Sequence, residues 1–431
     1  MSVLDVAIEI CGQPVLVGTL SGTLSGTSAA PPQFQYASDY LSRENARPIS
    51  LHLPLQSDPF SPETTKNYFE GLLPEGFTRR SVAAGMHIDA DDYLTLLKML
   101  GRECLGAITT SDPSEPAISP DYEPLSMSQV HDLANEGVTV SAALVTKAHL
   151  SLTGASGKVG LYHSPDTGAW FLPRGTAPST HIVKQSHVRL DNIVTNEQLM
   201  LTTAERLGIP VPQSFIVNVG SGRDQDVLLA TRRYDRTFSR STPTLNGMPM
   251  PQRLHQEDFA QALGISSEHK YEGPDDHYLP RMFELLRRYS ANPIVDQLKL
   301  WDLVIFNFLI GNTDNHLKNF SLLYDENLAA IRLAPAYDLI STSIYPSSTR
   351  SMAFKIGDHL SLDDITPADF ACAAKACGLG AKIAAQHLHR LSQSFVPALQ
   401  AATASLVDQG FVNAKRLADR VLKTGGWEQF A

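Results

Sequence analysis

The stretch Gly311-Asn-Thr-Asp314-Asn-His316-Leu-Lys318-Asn319 places charged, amide and imidazole side chains in one short segment. It follows Val295–Ile310, a predicted helix whose second half is largely apolar, and Gly311 is suited to end that helix. A helix packed in the core would hold Asp314 in a fixed position, whereas an ordinary acid in a helix-terminal turn is the alternative. His316 could orient this loop or contact a phosphate, or it could be a packed structural histidine.

Asp314 and Asn319 have the D-x-x-x-x-N spacing of kinase catalytic loops. In those loops the Asp accepts the proton of the attacking hydroxyl group, and the Asn binds magnesium. The segments Phe320–Tyr324 and Leu328–Leu333 predict a β-hairpin that brings Asp338 back beside Asn319. Magnesium prefers such carboxylate and amide oxygen ligands. We therefore expect Asp314 to be a catalytic base, and Asn319 and Asp338 to be metal ligands.

A second segment, Ser151-Leu-Thr153-Gly154-Ala-Ser156-Gly157-Lys158-Val-Gly160, is rich in glycine and lies between strand-like stretches. Its glycines would let backbone N–H groups approach phosphate oxygens, and Lys158 adds a positive charge. The segment differs from the Walker pattern, because Val159 replaces the hydroxyl residue that binds magnesium and a strand follows in place of a helix. A P-loop NTPase is therefore disfavoured, and a glycine-rich hairpin turn is the alternative.

Lys184 ends the short predicted strand His181–Lys184, whose apolar residues would direct the ammonium group into a cleft between two lobes. Its expected partners are the α- and β-phosphates of a nucleotide, and a solvated strand lysine is the alternative. Glu197, on the following predicted helix, could pair with Lys184, although helix acids commonly lie on the surface.

The order of strand-like and helical patterns predicts an α+β protein with a bilobal, protein-kinase-like fold. Residues 1–120 form a small N-terminal α+β module, residues 121–254 a strand-rich nucleotide-binding lobe, and residues 255–431 a mainly helical catalytic lobe. The helical lobe is predicted to begin with a helix at Gln256–Ala262. Strands of the first module are predicted at Val3–Ile10, Pro14–Leu20 and Ile49–Leu53.

The chain has 431 residues, a hydrophobic fraction of 43% and a formal net charge of −10. It can bury a substantial core, but its acidic balance disfavours direct binding to DNA. The most apolar stretch is shorter than the roughly 20 residues that a membrane helix needs. The N-terminus lacks a secretion-signal pattern, and the four scattered cysteines have no metal-ligand spacing. We expect a cytoplasmic protein that does not enter a membrane.

Several motifs occur in a fixed order that ends with the Asp314 loop and Tyr337-Asp338. The preceding motifs are Pro48-Ile-Ser-Leu-His-Leu-Pro54, Phe69-Glu-Gly-Leu-Leu-Pro74, Gly101-Arg-Glu-Cys104-Leu-Gly106-Ala107, Pro173-Arg-Gly-Thr-Ala-Pro178-Ser-Thr-His181-Ile-Val-Lys184, Tyr234-Asp235-Arg236, His255-Gln-Glu257-Asp258 and Lys270-Tyr271-Glu272. From about residue 1 to residue 400, this order resembles the HipA family of type II toxin–antitoxin serine/threonine kinases. No single motif is decisive, but their joint order is specific.

The resemblance implies a phosphate loop at residues 153–158, an adenine-side hinge at residues 232–234, and Asp314 as base. The implied nucleotide-binding residues are Thr153, Gly154, Ala155, Ser156, Gly157, Lys158, Lys184, Arg232, Arg233, Tyr234, His316, Asn319, Tyr337 and Asp338. Ser151 matches the position at which such kinases phosphorylate themselves, which ejects the loop and silences the enzyme. An ordinary strand hydroxyl is the alternative for Ser151.

Two positions depart from the family pattern. The family's loop commonly reads Gly-Ala-Gln-x-Lys, whereas Ser156-Gly157 precede Lys158 here, which would loosen phosphate contacts. Arg232 stands where an acidic hinge residue is familiar, although the hinge usually binds through its backbone. Neither departure removes an essential acid.

These observations lead to the hypothesis of an ATP- and magnesium-dependent serine/threonine protein kinase that also inactivates itself by autophosphorylation. By resemblance, its protein substrate is an aminoacyl-tRNA synthetase, and its partner is a HipB-like helix-turn-helix antitoxin through which alone it reaches DNA. A catalytically silent co-repressor scaffold that binds such an antitoxin is one alternative. A small-molecule phosphotransferase is another, because it can share the same Asp-to-Asn spacing.

Overall fold

The computed structural model describes residues 2–23, 30–116, 118–135, 140, 143–145, 147, 157–186, 190–239 and 242–430. Helices and strands both occur in these residues, as the α+β prediction requires. Ser151, Thr153, Gly154, Ala155 and Ser156 lie outside the described residues, and the roles assigned to them stay predictions.

The first module contains an antiparallel sheet in the order β3-β2-β1-β4, with buried Leu4, Val6 and Ile8 alternating along its central strand β1. Its strands are β1 (Ser2–Ile10), β2 (Gln13–Thr23), β3 (Ala30–Tyr36) and β4 (Ile108–Ser111). Its helices are α1 (Ser38–Leu41), α2 (Pro62–Phe69), α3 (Gly76–Gly85) and α4 (Tyr93–Leu100).

The predicted strand at Ile49–Leu53 is wrong, because this segment makes an isolated bridge between Ser50 and Leu53 and no ladder. Its polar groups have another partner. The Ser50 hydroxyl and the Leu51 N–H both donate to the buried carboxylate of Glu257, at 2.6 and 3.1 Å.

The strand-rich lobe is a six-stranded antiparallel sheet in the order β5-β7-β6-β8-β10-β9. Its strands are β5 (Asp121–Pro124), β6 (Lys158–His163), β7 (Trp170–Arg174), β8 (His181–Gln185), β9 (Ser214–Asn218) and β10 (Val227–Arg232). Helices α5 (Met127–Asn135) and α6 (Ile193–Arg206) accompany it. The register of β6 and β8 places Lys158 directly opposite Lys184, so both side chains lie on one face of the sheet.

Short strands connect this sheet to the helical lobe. They are β11 (Arg236–Thr237), β12 (Thr244–Leu245), β13 (Met248–Pro249) and β14 (Gln252–Arg253), which pair as β11 with β14 and β12 with β13.

The helix predicted at Gln256–Ala262 begins later than expected. Gln256–Asp258 is a strand, β15, which pairs with β16 (Ser321–Tyr324), and β16 pairs with β17 (Ile331–Leu333). Helix α7 (Phe259–Leu263) starts only after Asp258, whose side chain caps it. The pairing of β16 with β17 confirms the hairpin that was predicted after the Asp314 loop.

Most of the remaining lobe is helical. Its elements are α8 (Tyr278–Tyr289), α9 (Pro293–Leu309), β18 (Ser351–Ile356), β19 (His359–Ser361), α10 (Pro367–Ala376), α11 (Ala381–Asp408) and α12 (Asn413–Thr424). Helix α9 is the central one, and Trp301, Phe306 and Phe308 on it are fully buried. Among the described residues, no helix has both the length and the apolar character to cross a membrane.

A buried ionic cluster joins the first module to the strand-rich lobe. This Glu103 cluster consists of Glu103, Arg233, Asp235, Arg236 and Arg253. The Glu103 carboxylate lies 3.1 Å from Arg233 Nη1, 2.8 Å from Arg236 Nη2 and 2.7 Å from Arg253 Nη2. Burial alone would raise the pKa of Glu103, but the three guanidinium groups hold it well below its usual range.

Candidate active site

The strand-rich lobe and the helical lobe face each other across a cleft of about 270 Å³. The predicted residues that line it are Gly157, Lys158, Lys184, Asp314, His316, Asn319 and Asp338. The two acids that carry the kinase hypothesis therefore share one cavity.

The catalytic loop is held by the end of helix α9. Gly311 has a φ of +65°, and a Cβ there would collide with the side chain of Ser343, so glycine is required on two grounds. The next residue, Asn312, is buried and contacts both acids. Its Oδ1 accepts from the Asp314 N–H at 3.2 Å, and its Nδ2 donates to the Asp338 carbonyl at 3.3 Å. Asn312 thus fixes the spacing of the two segments.

Asp314 projects into the open part of the cleft, where the Tyr271 hydroxyl donates to its carboxylate. Although Asp314 is exposed to the cleft, the protein on its other sides displaces part of the water around its carboxylate and raises its pKa. Tyr271 and then Lys270 act in the opposite direction. Asn319 donates through Nδ2 to the Asp314 carbonyl at 2.8 Å, which closes the loop. A carboxylate held in this way can accept a hydrogen bond, and then a proton, from an incoming hydroxyl group.

His316 is buried and packs edge-to-face on the ring of Tyr271, with 5.1 Å between centroids. Burial lowers its pKa to about 3, so the imidazole is neutral at neutral pH. Its Nδ1 has no hydrogen-bond partner among the described residues. The packed position is the one expected of a structural histidine. Its Nδ1 has no partner among the described residues and can still form a hydrogen bond with a ligand.

Asp338 has a φ of +52°, a conformation that residues other than glycine rarely adopt. Its carboxylate contacts the ammonium group of Lys184, which also lies 2.6 Å from Glu197. Burial would raise the pKa of Asp338, but Lys184 and then Lys158 lower it, so the carboxylate is charged. Glu197 is buried and is not the surface acid that was the alternative.

Helix α6 supports this arrangement through Asn196, the neighbour of Glu197. Asn196 exchanges two hydrogen bonds with the backbone of Ser341, at 2.9 and 3.1 Å. The helix is therefore fixed to the segment that follows Asp338. The position of Glu197 relative to Asp338 depends on this connection.

Asn319 and Asp338 are chemically suited to hold magnesium. Because Asn319 uses its amide N–H for the Asp314 carbonyl, its Oδ1 remains for another partner, and Asp338 supplies a charged oxygen. The described residues contain no group of three or more His, Cys, Asp or Glu side chains that could hold a metal without other ligands. A magnesium ion held by Asn319 and Asp338 would take its other ligands from phosphate and water.

A narrower pocket opens beside the lysines, lined by Ile182, Leu201, Tyr234 and Tyr337 among others. The rings of Tyr234 and Tyr337 are stacked at 6.1 Å. Apolar and aromatic walls of this kind are typical of pockets that bind a flat base such as adenine.

The two arginines of the predicted hinge both border this pocket, but one side chain is exposed and the other is buried. Arg232 is exposed at its edge and donates to the Gln213 side chain at 3.2 Å. The guanidinium group of Arg233 is instead fully buried in the Glu103 cluster. The backbone N–H of Arg233 donates to the Thr180 carbonyl at 2.9 Å. The Arg233 side chain is thus not available to a nucleotide.

Sequence reasoning assigned no role to several residues that shape the cleft. Lys270, Tyr271 and Asn312 line the cleft, and Glu75 pairs with Lys270 behind them. Lys270 and Tyr271 belong to Lys270-Tyr271-Glu272, one of the motifs that resemble the HipA family. This motif indicated that the two residues have a role. Asn312 stands inside the quoted loop, two residues before Asp314.

Known proteins and protein families resemble this chain over most of its length. A family model described as HipA-like C-terminal domain matches residues 150–399, and one described as HipA N-terminal domain matches residues 15–111. The chain is 33% identical over 382 residues to "Putative kinase Y4mE" of Sinorhizobium fredii, covering 85% of each chain. It is 24% identical over 396 residues to the serine/threonine-protein kinase toxin HipA of Shewanella oneidensis, covering 89% of this chain and 86% of the relative.

The chain is also similar to a solved structure, the Shewanella oneidensis HipA of a complex with HipB and operator DNA. The TM-score is 0.79 at 22% identity, covering 99% of this chain and 97% of the other. This likeness confirms the predicted bilobal, kinase-like fold.

Proposed function

The chain belongs to the HipA family, and on that premise we propose that it is a serine/threonine protein kinase that transfers the γ-phosphoryl group of ATP to a protein hydroxyl. The observation that carries the proposal is the meeting of Asp314 and Asp338 in one cleft with Lys158 and Lys184. A base, a metal ligand and two cations for phosphate are the parts that phosphoryl transfer needs.

The residues divide the work as follows. Tyr234 and Tyr337 bind the base of the nucleotide, and Lys158 and Lys184 neutralise its phosphates. Asp314 accepts the proton of the acceptor hydroxyl, whose oxygen forms the new bond to phosphorus while the bond to ADP breaks. Asn319 and Asp338 would hold magnesium, which would supply positive charge to offset the negative charge of the phosphates.

The ammonium group of Lys184 contacts both Asp338 and Glu197. If Asp338 held a metal ion, its carboxylate would turn from this contact, and Lys184 would pair with the phosphates and Glu197. A Lys–Glu pair of this type orients the lysine in kinases.

The test uses labelled ATP. The purified chain, incubated with labelled ATP, magnesium and a cell extract, should label discrete proteins, and Asp314→Asn should not. Asp358→Asn, which changes an exposed acid in the β18–β19 turn, is the matched control and should label as the wild type does. Equal labelling by wild type and Asp314→Asn would reject the proposal.

We propose an aminoacyl-tRNA synthetase as the protein substrate, since this follows from the family. Purified synthetases should be phosphorylated on Ser or Thr, while sugars and aminoglycosides should not be. Phosphorylation of the small molecules alone would favour the phosphotransferase alternative. Magnesium-dependent ATP binding with no transfer to any acceptor would favour the silent scaffold.

Two further proposals rest on family membership. Ser151 is proposed as the autophosphorylation site, so phosphopeptide mapping after incubation with ATP should find phosphate on Ser151. A HipB-like antitoxin is proposed as partner, since the HipA of the structural match is in a complex with HipB and operator DNA. The acidic chain alone should then show little affinity for DNA.

A further inference from the structure

Glu75 of the N-terminal module contacts two lysines of the helical lobe, one in the catalytic loop and one at the active-site cleft. This residue directly precedes helix α3, and its carboxylate faces two lysines of the helical lobe. Glu75 Oε2 lies 2.6 Å from Lys270 Nζ, and Glu75 Oε1 lies 3.5 Å from Lys318 Nζ. All three side chains are largely buried, so neither solvent nor salt screens these contacts strongly.

Lys318 lies inside the catalytic loop, between Asp314 and Asn319. Its ammonium group is 2.7 Å from the Asp258 carboxylate and donates to the Gly71 carbonyl at 3.2 Å. Gly71 also belongs to the first module. The loop is therefore attached to that module by a charge contact with Glu75 and by a hydrogen bond to its backbone.

Lys270 reaches the same loop from the other side. Its backbone carbonyl accepts from the Leu317 N–H at 3.2 Å, and its neighbour Tyr271 donates to the Asp314 carboxylate. Glu75 is the acid that pairs with Lys270 among the described residues. Holding Lys270 thus also holds the tyrosine that touches the base.

Resting on the proposed function, we propose that Glu75 is a positioning residue for phosphoryl transfer. Through Lys270 it holds Tyr271 against Asp314, and through Lys318 it holds the loop that carries Asp314 and Asn319. The N-terminal module then contributes a residue that the kinase site needs for its geometry. Displacements of about 1 Å in a catalytic group can cost about 10²-fold in rate, so a contact of this kind affects turnover directly.

An ordinary ion pair between two modules would behave differently. Its loss would lower stability and leave the turnover of the folded protein unchanged. The chain offers a matched control in Glu70, an acid of the same module that pairs with Arg79 at 2.9 Å. The Glu70 side chain is 11% exposed and that of Glu75 is 13% exposed, and the cations bound by Glu70 are both in the first module.

The experiment compares Glu75→Gln with Glu70→Gln in the full chain. We expect Glu75→Gln to lower kcat by about 10- to 100-fold while KM for ATP stays unchanged, and Glu70→Gln to leave both unchanged. Adding Lys270→Met to Glu75→Gln should cause little further loss, because both changes break the same contact. Equal kcat for the two glutamine variants, or fully additive losses in the double variant, would overturn the proposal.

A second measurement does not require activity. Hydrogen exchange of residues 270–272 and 312–319 should become faster in Glu75→Gln and stay unchanged in Glu70→Gln. Unchanged exchange in both variants rejects the positioning role, even in a chain that shows no transfer. Faster exchange in Glu75→Gln together with an inactive wild type would instead reject the proposed kinase function and retain the coupling of Glu75 to the loop.

Discussion

The Glu103 cluster and the active-site cleft are both built from acids and cations, but they differ in how completely those groups are paired. In the cluster, both Glu103 oxygens contact guanidinium groups, and the carboxylate is 2% exposed. In the cleft, Asp314 is exposed, His316 Nδ1 is unpaired among the described residues, and Asp338 has a positive φ. Charges that pair with one another in the interior hold modules together. An exposed carboxylate, an imidazole nitrogen without a partner and a strained backbone instead leave groups that a ligand can contact.

The first prediction tests the cleft side of this comparison. Asp314→Asn should lower the rate of phosphoryl transfer by about 10²- to 10⁴-fold, because the amide cannot accept the proton. The free energy of unfolding should not fall, since the change removes a charge that the surroundings disfavour. Initial rates and urea denaturation measure the two quantities. Loss of stability without loss of rate would contradict the comparison.

The second prediction tests the cluster. Glu103→Gln should lower the free energy of unfolding by about 3–5 kcal/mol, because three buried guanidinium groups lose their shared carboxylate. Urea denaturation gives this value. If Glu103→Gln lowers the free energy of unfolding by no more than the loss of a surface ion pair does, the cluster does not hold the modules together.

The third prediction concerns Glu257, a buried acid with hydrogen bonds but no cation within ion-pair distance in the described part of the chain. Its carboxylate accepts from Ser50, Leu51 and Tyr324, and burial raises its pKa from 4.5 to about 7. The folded state therefore holds the proton more tightly than the unfolded state. The resulting stability is fully present below pH 4.5 and is lost as the pH rises through about 7.

Glu257→Gln removes this titration. Relative to the wild type, the variant should gain up to about 3 kcal/mol of unfolding free energy between pH 4.5 and pH 8. Denaturation of both proteins at the two pH values measures the difference, and other titrating groups cancel. A difference that does not change with pH would refute the assignment.

The smallest expected effect is at the surface. Arg350 Nε lies 2.7 Å from Asp363 Oδ2, but both side chains are exposed. Arg350→Gln should change the free energy of unfolding by less than about 1 kcal/mol. The same denaturation assay applies, and a loss comparable to that of Glu103→Gln would mean that distance alone, and not burial, decides the strength of these pairs.

Local patterns predicted the parts of the site that are close in sequence. Asp314, Asn319 and the hairpin after them are close together in the sequence. The return of Asp338 to the same cleft could therefore be predicted. Lys184 could be predicted for a similar reason, since it lies on a short strand with apolar neighbours. The roles of Ser151 and of residues 153–156 remain predictions, because these residues lie outside the described part of the chain.

Long-range pairs were not accessible in this way. Tyr271 meets Asp314 across 43 positions, and Glu75 meets Lys270 across 195, and no local pattern specifies such partners. The strand Gln256–Asp258 was missed for a related reason. Its residues are polar, and they become a strand only because the hairpin supplies their hydrogen-bond partners. Tertiary context overrides propensity in a segment of three residues.

The register of β6 and β8 has one more consequence. Lys158 and Lys184 stand directly opposite each other, and no acid lies within ion-pair distance of Lys158 in the described ranges. Lys184 already pairs with Asp338 and Glu197, so Lys158 is the lysine of this strand pair that an incoming anion would neutralise. Pyrophosphate and inorganic triphosphate lack an adenine ring but carry the same negative charges. Binding of either anion should therefore slow amide hydrogen exchange along β6 and β8.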